Sequence, residues 1–182
     1  KMDKEINYKA WNIAHTNYFV AKTTHAKIKH LLCYGILAPS GHNAQPWKVK
    51  INKNKLTISL NKSRLLPVGD PTNRLSFISA GAFIQNILIA SAHYKVKTEL
   101  TLGPKNKSMT VATVKFSFDS ERKKPTRKKT DLIFSIPRRL TNRSPYEDKI
   151  PSRAFINTIK KAQDHGVKVH QVTSKNAIQK LA

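Results

Sequence analysis

The sequence predicts an α+β fold, a mostly antiparallel sheet flanked by helices. Three observations carry this. "WKVKI" (47–51) and "LTISL" (56–60) alternate apolar and polar residues around the turn "NKNK", the pattern of a β-hairpin. "KTELTL" (97–102) and "TVATVKFSF" (110–118) repeat that pattern around Gly103-Pro104. Between the two pairs runs "LSFISAGAFIQNILIASAHY" (75–94), an apolar stretch with no formal charge and the length of a helix.

The remaining elements follow in chain order. Residues 1–23 hold Tyr8, Trp11, Tyr18 and Phe19 without a clean period, and read as a packed arm or short helix. Thr24 is a candidate N-cap for a helix over roughly 25–37, with Ile28, Leu31, Leu32 and Ile36 on one side and Pro39 closing it. "RLLPVGDPTNR" is a loop in which Asp70 or Thr72 can cap the long helix. "RKKPTRKK" (122–129) must be exposed. Beyond it, Ser152 caps a helix with Phe155, Ile156 and Ile159 inward and Gly166 at its end. "VKVHQV" reads as a strand, and Ser174 caps a further helix that the sequence cuts short. The chain opens on Lys1 and stops at Ala182, and is expected to continue in nature.

Composition narrows the function classes. The 182 residues suffice for one domain with a real core, or one and a fraction. At 39% hydrophobic the chain is lean, but its apolar residues are clustered and periodic, which favours folding over disorder. Thirty-four Lys+Arg against ten Asp+Glu give a formal charge of +24, spread along the chain and mostly lysine. That reads first as a solvated surface and second as a nucleic-acid, membrane or phosphate-binding surface. A nucleic-acid partner is disfavoured, because no recognised motif or surface aromatic series accompanies the charge.

One cysteine excludes an internal disulfide and agrees with a reducing, cytoplasmic compartment; Cys33 lies on the apolar side of its helix. Residues 1–22 gather no continuous apolar stretch of a signal peptide. The 75–94 stretch could span a bilayer by length, but Ser76, Ser79, Gln85, Asn86, Ser91 and His93 would need partners in lipid. It reads as a buried core helix, with Gly81 marking close packing, and no membrane partner is expected. The histidines show no metal-ligand spacing.

Two segments carry candidate chemistry. In Pro39-Ser40-Gly41-His42-Asn43-Ala44-Gln45-Pro46, Pro39 sets the exit angle from the helix and Gly41 lets the backbone pass close to a flat partner. Ser40, Asn43 and Gln45 add donors and acceptors in a short space. The residues alone leave two readings open: a seat for a planar heterocycle with polar edges, or a turn satisfying its own backbone. In "RRLTNR" (138–143), Arg138, Arg139 and Arg143 supply guanidinium forks and Thr141 a hydroxyl, a set that matches phosphate oxygens. A solvated basic turn is the alternative.

"APSGHNAQPWKVKI", "DPTNRLSFISAGAFIQNILIASAHY" and "RRLTNRSPYED", in that order, resemble the nitroreductase superfamily of FMN-binding flavoproteins. The combination is most similar to its two-lobed branch, the Acg-like FMN-binding proteins, over about residues 24–182. The resemblance implies a first nitroreductase-like lobe over 24–121, a basic linker at 122–130 and the start of a second lobe at 131–182. It implies that Pro39, Ser40, Gly41 and Asn43 contact the isoalloxazine and ribityl parts of FMN. Arg139, Thr141 and Arg143 would hold the phosphate and ribityl chain, with Arg138 beside them, since Leu140 stands where many relatives have a second arginine.

The implied function is FMN-dependent reduction of a small organic acceptor with electrons from NAD(P)H. The missing C-terminal half, or a second subunit, would complete the flavin site. No catalytic side chain or metal is assigned, because flavin chemistry of this type needs no protein nucleophile. Two alternatives stand beside it: an FMN-binding or sequestering protein without turnover, and a basic nucleic-acid-binding module.

Overall fold

The computed structural model describes residues 6–104, 109–118, 132–145, 151–161, 168–172, 174 and 176. The chain divides into two compact units, 1–141 and 142–182. The basic run at 122–129 and Gly166 lie outside the described residues.

The first unit is α+β, as expected. Strands β1 (Trp47–Asn52) and β2 (Lys55–Leu60) form the hairpin, and β3 (Lys97–Leu102) and β4 (Thr110–Ser117) form the second antiparallel pair. All four join one antiparallel sheet in the order β1-β2-β4-β3. The second pair therefore enters backwards, with β4 against β2. Leu56, Ile58, Ala112, Val114 and Phe116 form the buried face of the central strands.

Helices cover that face. A short α1 (Asn17–Val20) leads into α2 (Thr24–Gly35), and the long α3 (Arg74–His93) lies beside it. The N-cap of α2 is Thr23, whose hydroxyl accepts from the Ala26 N–H at 3.1 Å, one residue before the expected Thr24. Ile28 and Leu31 are buried as the period requires, whereas Ile36 falls past the last turn and is exposed. Asp70 is the cap of α3: its carboxylate accepts from the N–H groups of Leu75 and Ser76 and from the Ser76 hydroxyl at 2.8–3.0 Å. Burial opposes its charge, but these donors hold the carboxyl below the usual carboxylate range. The cap thus stays charged until well into acid, where its contribution is lost.

The close approach between helices is made by Gly35 rather than Gly81. A Cβ on Gly35 would lie 2.9 Å from Phe83 Cε2 and 3.0 Å from Ile87 Cγ1, while one on Gly81 would meet nothing within 4 Å. Gly81 sits on an exposed side of α3 together with Ile78 and Gln85. The helix is therefore buried on one face, not all round: Ala80, Phe83, Ile84, Ile87 and Ala90 face the core, and Leu75, Phe77 and Ile78 are exposed. Gly35→Ala forces Phe83 or the helix to shift, and is expected to cost about 1–3 kcal/mol in urea unfolding. Gly81→Ala should be neutral or stabilising in the same assay, because it adds helix propensity without a clash.

The arm is tied to this core by a polar aromatic cluster. His15 Nδ1 lies 3.0 Å from the Tyr34 hydroxyl and 3.3 Å from that of Tyr94. The two hydroxyls are 2.9 Å apart, and His30 Nε2 is 3.2 Å from Tyr94. Tyr18 stacks on Tyr94 at 4.0 Å between ring centroids, and its burial pushes its phenol up to about 12.

In the second unit, α4 (Arg153–Lys161) begins at Ser152, whose hydroxyl accepts from the Phe155 N–H at 3.2 Å. Phe155 and Ile159, expected inward, are 56% and 44% exposed, because no described element of that unit covers the apolar side of the helix. Residues 168–172 form no strand: an alternating pattern needs a partner edge to become a ladder, and the described residues supply none there. Most of the helix expected after Ser174 lies outside the described residues.

Candidate functional site

The loop between α2 and β1 is held in an uncommon backbone state. His42, Asn43 and Gln45 have φ of 49°, 54° and 48°, the left-handed region that side chains other than glycine rarely enter. Gly41 is not among them. A Cβ there would find ordinary contacts at 3.8–4.0 Å with Leu66 and Leu75, so the glycine opens the surface beside an apolar floor rather than relieving a clash. Such a conformation costs a side chain on the order of 1–2 kcal/mol, and less for asparagine, whose short polar side chain enters it more readily. Such cost persists where the surroundings over-determine the conformation.

Those surroundings are visible. The Ser40 hydroxyl accepts from the Gln45 N–H at 3.0 Å, and the Asn43 and Ala44 N–H groups donate to the Ser40 and Gly41 carbonyls at 3.0 and 2.9 Å. Asn61 N–H donates to the Pro46 carbonyl at 2.8 Å, tying the loop's exit to the residues after β2. Two arginines brace the rest. Arg64 Nη1 donates to the Ala44 carbonyl at 3.2 Å, inside the loop. Arg139 Nη2 donates to the Leu37 carbonyl at 3.2 Å, just before the loop begins.

This places the expected residues as follows. Pro39, Ser40, Gly41 and Asn43 share one loop, and Arg139 is brought to its base from far along the chain. Ser40 is engaged with its own loop, whereas Asn43 is exposed, with a 3.5 Å contact between its Oδ1 and Gln45 Nε2. Arg139 Nη1 also donates to Thr141 Oγ1 at 2.9 Å, and its Nε is buried without a hydrogen-bond partner. Arg138 ends a short turn (Ile136–Arg138) and is exposed. Arg143 is exposed in the second compact unit.

Arg64 was not singled out in the sequence. The signal that marks Arg139, arginine where lysine would serve a solvated surface, applies equally to "KSRLL". Among the described residues no cluster of His, Cys, Asp or Glu could hold a metal ion.

The donor set suits a planar heterocycle: an exposed amide at Asn43 and a half-buried one at Gln45, a bare backbone at Gly41, and Leu66 and Leu75 beside it. Leu75 is itself 44% exposed, and Val68, Phe77 and Ile78, near it in sequence, are 95%, 43% and 55% exposed.

No protein-family model matches the chain. "Uncharacterized protein Rv3127" and "Uncharacterized protein MT3212", from two strains of Mycobacterium tuberculosis, are each 28% identical over 152 residues, 81% of this chain and 43% of theirs. The chain thus spans less than half the length of the curated relatives it matches. Among solved structures, a Desulfovibrio desulfuricans protein described as a "putative nitroreductase in complex with fmn" aligns over 71% of this chain and 94% of its own. The TM-score is 0.45 and the identity 14%.

Proposed function

We propose that this chain is part of an FMN-dependent oxidoreductase of the nitroreductase type. It reduces a small organic acceptor in the cytoplasm with electrons from NAD(P)H. The observation that carries the reading is the loop His42–Gln45: three left-handed residues in a segment bonded by its own backbone and by Arg64, with Arg139 on the Leu37 carbonyl that precedes it. Lys53, Asn73 and Lys95 are left-handed singly; three such residues within four positions set this loop apart from the chain's other turns. The motif resemblance supplies the identity of the ligand.

When bound, the flavin supplies the hydride or electron chemistry. This chain's part is to bind and orient it. Asn43 and Gln45 would offer amides to the ring, Gly41 beside Leu66 and Leu75 would leave room for it, and Arg138, Arg139 and Thr141 would hold the phosphate, to which the motif resemblance adds Arg143. Arg139 has a second task as a positioning residue, because its bond to Leu37 fixes the angle at which Pro39 launches the loop. The apolar surface at Val68, Leu75 and Ile78 supports completion of the site by the missing half or by a second subunit.

The test is FMN retention by the full-length protein after dialysis. Arg143→Ala and Arg139→Ala are each expected to weaken binding by about 1–3 kcal/mol, the range for a lost charged hydrogen bond, which is roughly 5- to 150-fold in Kd. Asn43→Ala should weaken it less and shift the flavin absorption bands. Unchanged retention in both arginine variants removes the phosphate assignment.

A further inference from the structure

Along the chain the lysines look evenly scattered, but the strand register sorts them. The face of the sheet turned away from the helices presents Lys48 and Lys50 from β1, Lys55 from β2, Lys115 from β4 and Lys97 from β3, all exposed. Between them stand short hydroxyl side chains. Lys50 pairs across to Thr57, Thr57 to Thr113 and Thr113 to Thr101, making a row across all four strands. Ser59 and Ser117 extend the polar surface to either side. The acid in this register is Glu99, which lies 3.4 Å from Lys115 Nζ.

We propose that this sheet face docks duplex nucleic acid through the phosphate backbone. Same-face residues are about 7 Å apart along a strand and about 4.8 Å apart between strands, so the five lysines, spread over four register levels and four strands, occupy a patch about 20 Å along the strands and about 14 Å across them. Over that length a duplex presents a phosphate charge about every 1.7 Å of axis, several of them facing the patch. Lysine and hydroxyl groups are the side chains that contact phosphate oxygens and position a duplex without reading its sequence.

What the face lacks chooses among polyanions. It carries no aromatic ring on which unpaired bases could stack, which disfavours single strands. It carries no apolar side chain to insert into lipid, whereas stable attachment to a membrane takes a second anchor beside charge. It has no tryptophan, tyrosine or arginine anchor of the kind that dominates protein interfaces. The inference is independent of the flavin reading, since the loop and the leucines beside it belong to other surfaces of the chain.

Fluorescence anisotropy of a labelled DNA duplex of about 20 base pairs, titrated with the full chain between about 50 and 200 mM salt, tests this. The K48E/K50E/K97E variant is expected to bind at least about tenfold more weakly than the charge-matched K22E/K29E/K62E, with a salt slope shallower by about 2–3. If circular dichroism shows the glutamate variant unfolded, K48Q/K50Q/K97Q is read instead and should show the same slope change. Equal weakening by the two charge-matched variants would mean that net charge alone drives binding, and overturns the proposal. So does absence of duplex binding at the lowest salt, or binding of phosphatidylserine vesicles in place of the duplex.

Discussion

Phe83→Ala is expected to remove about 3–5 kcal/mol of stability, the range for truncating a fully buried phenylalanine. The ring is 1% exposed and stacks on Trp47 at 4.9 Å between centroids. On its other side it presses on Gly35, where no side chain exists to fill the hole that alanine would leave. The cavity therefore relaxes little, which places the cost in the upper part of the range. There is a functional consequence too. Trp47 follows Pro46 directly, so losing its stacking partner loosens the exit of the candidate loop. Urea unfolding followed by tryptophan fluorescence measures both, as a lowered midpoint and a changed native-state emission. A loss below about 1 kcal/mol would mean the helix–sheet packing is misdescribed.

Acid is expected to destabilise the first unit in a window set by His30. Burial, helped by the neighbouring His15, lowers its pKa from the ordinary 6.5 to about 4. The folded protein thus keeps the imidazole neutral while the unfolded chain takes up a proton below about 6.5. Stability from this group is intact above that pH and declines as pH falls toward 4, by about 3 kcal/mol in all. The measurement is urea unfolding at several pH values for wild type and His30→Gln. The wild type should lose stability more steeply than the variant between about pH 6.5 and 4. Parallel pH profiles would show that His30 is not the group that resists charging.

The sequence was most legible where a side-chain period met a complete partner. The hairpin of β1 and β2 needed only alternation and a turn, and both strands appear with their register. Sheet order was less legible, because the crossing of α3 lets β4 reach β2 ahead of β3, and no local pattern encodes that choice. Gly81 and Gly35 show the same limit: composition says that a glycine permits close approach, but not which helix face meets a neighbour. "VKVHQV" and the apolar side of α4 show that a period states which residues seek burial, not what will bury them.

For the candidate site, residue chemistry marked out the polar loop at 39–46 but attributed its special geometry to Gly41. The left-handed dihedrals fall on His42, Asn43 and Gln45 instead, in a loop bonded to Ser40, Arg64 and Asn61. The bond from Arg139 to Leu37 spans over a hundred positions and has no sequence signature at all.

The absorption spectrum of the purified full-length protein goes furthest toward deciding whether this strained turn and its bracing guanidinium groups serve a flavin. Bands near those of oxidised flavin, with FMN released in about one equivalent on denaturation and retained less well by the Arg139→Ala and Arg143→Ala proteins, are the expected outcome. A colourless protein that takes up no FMN when the cofactor is added in excess would contradict it.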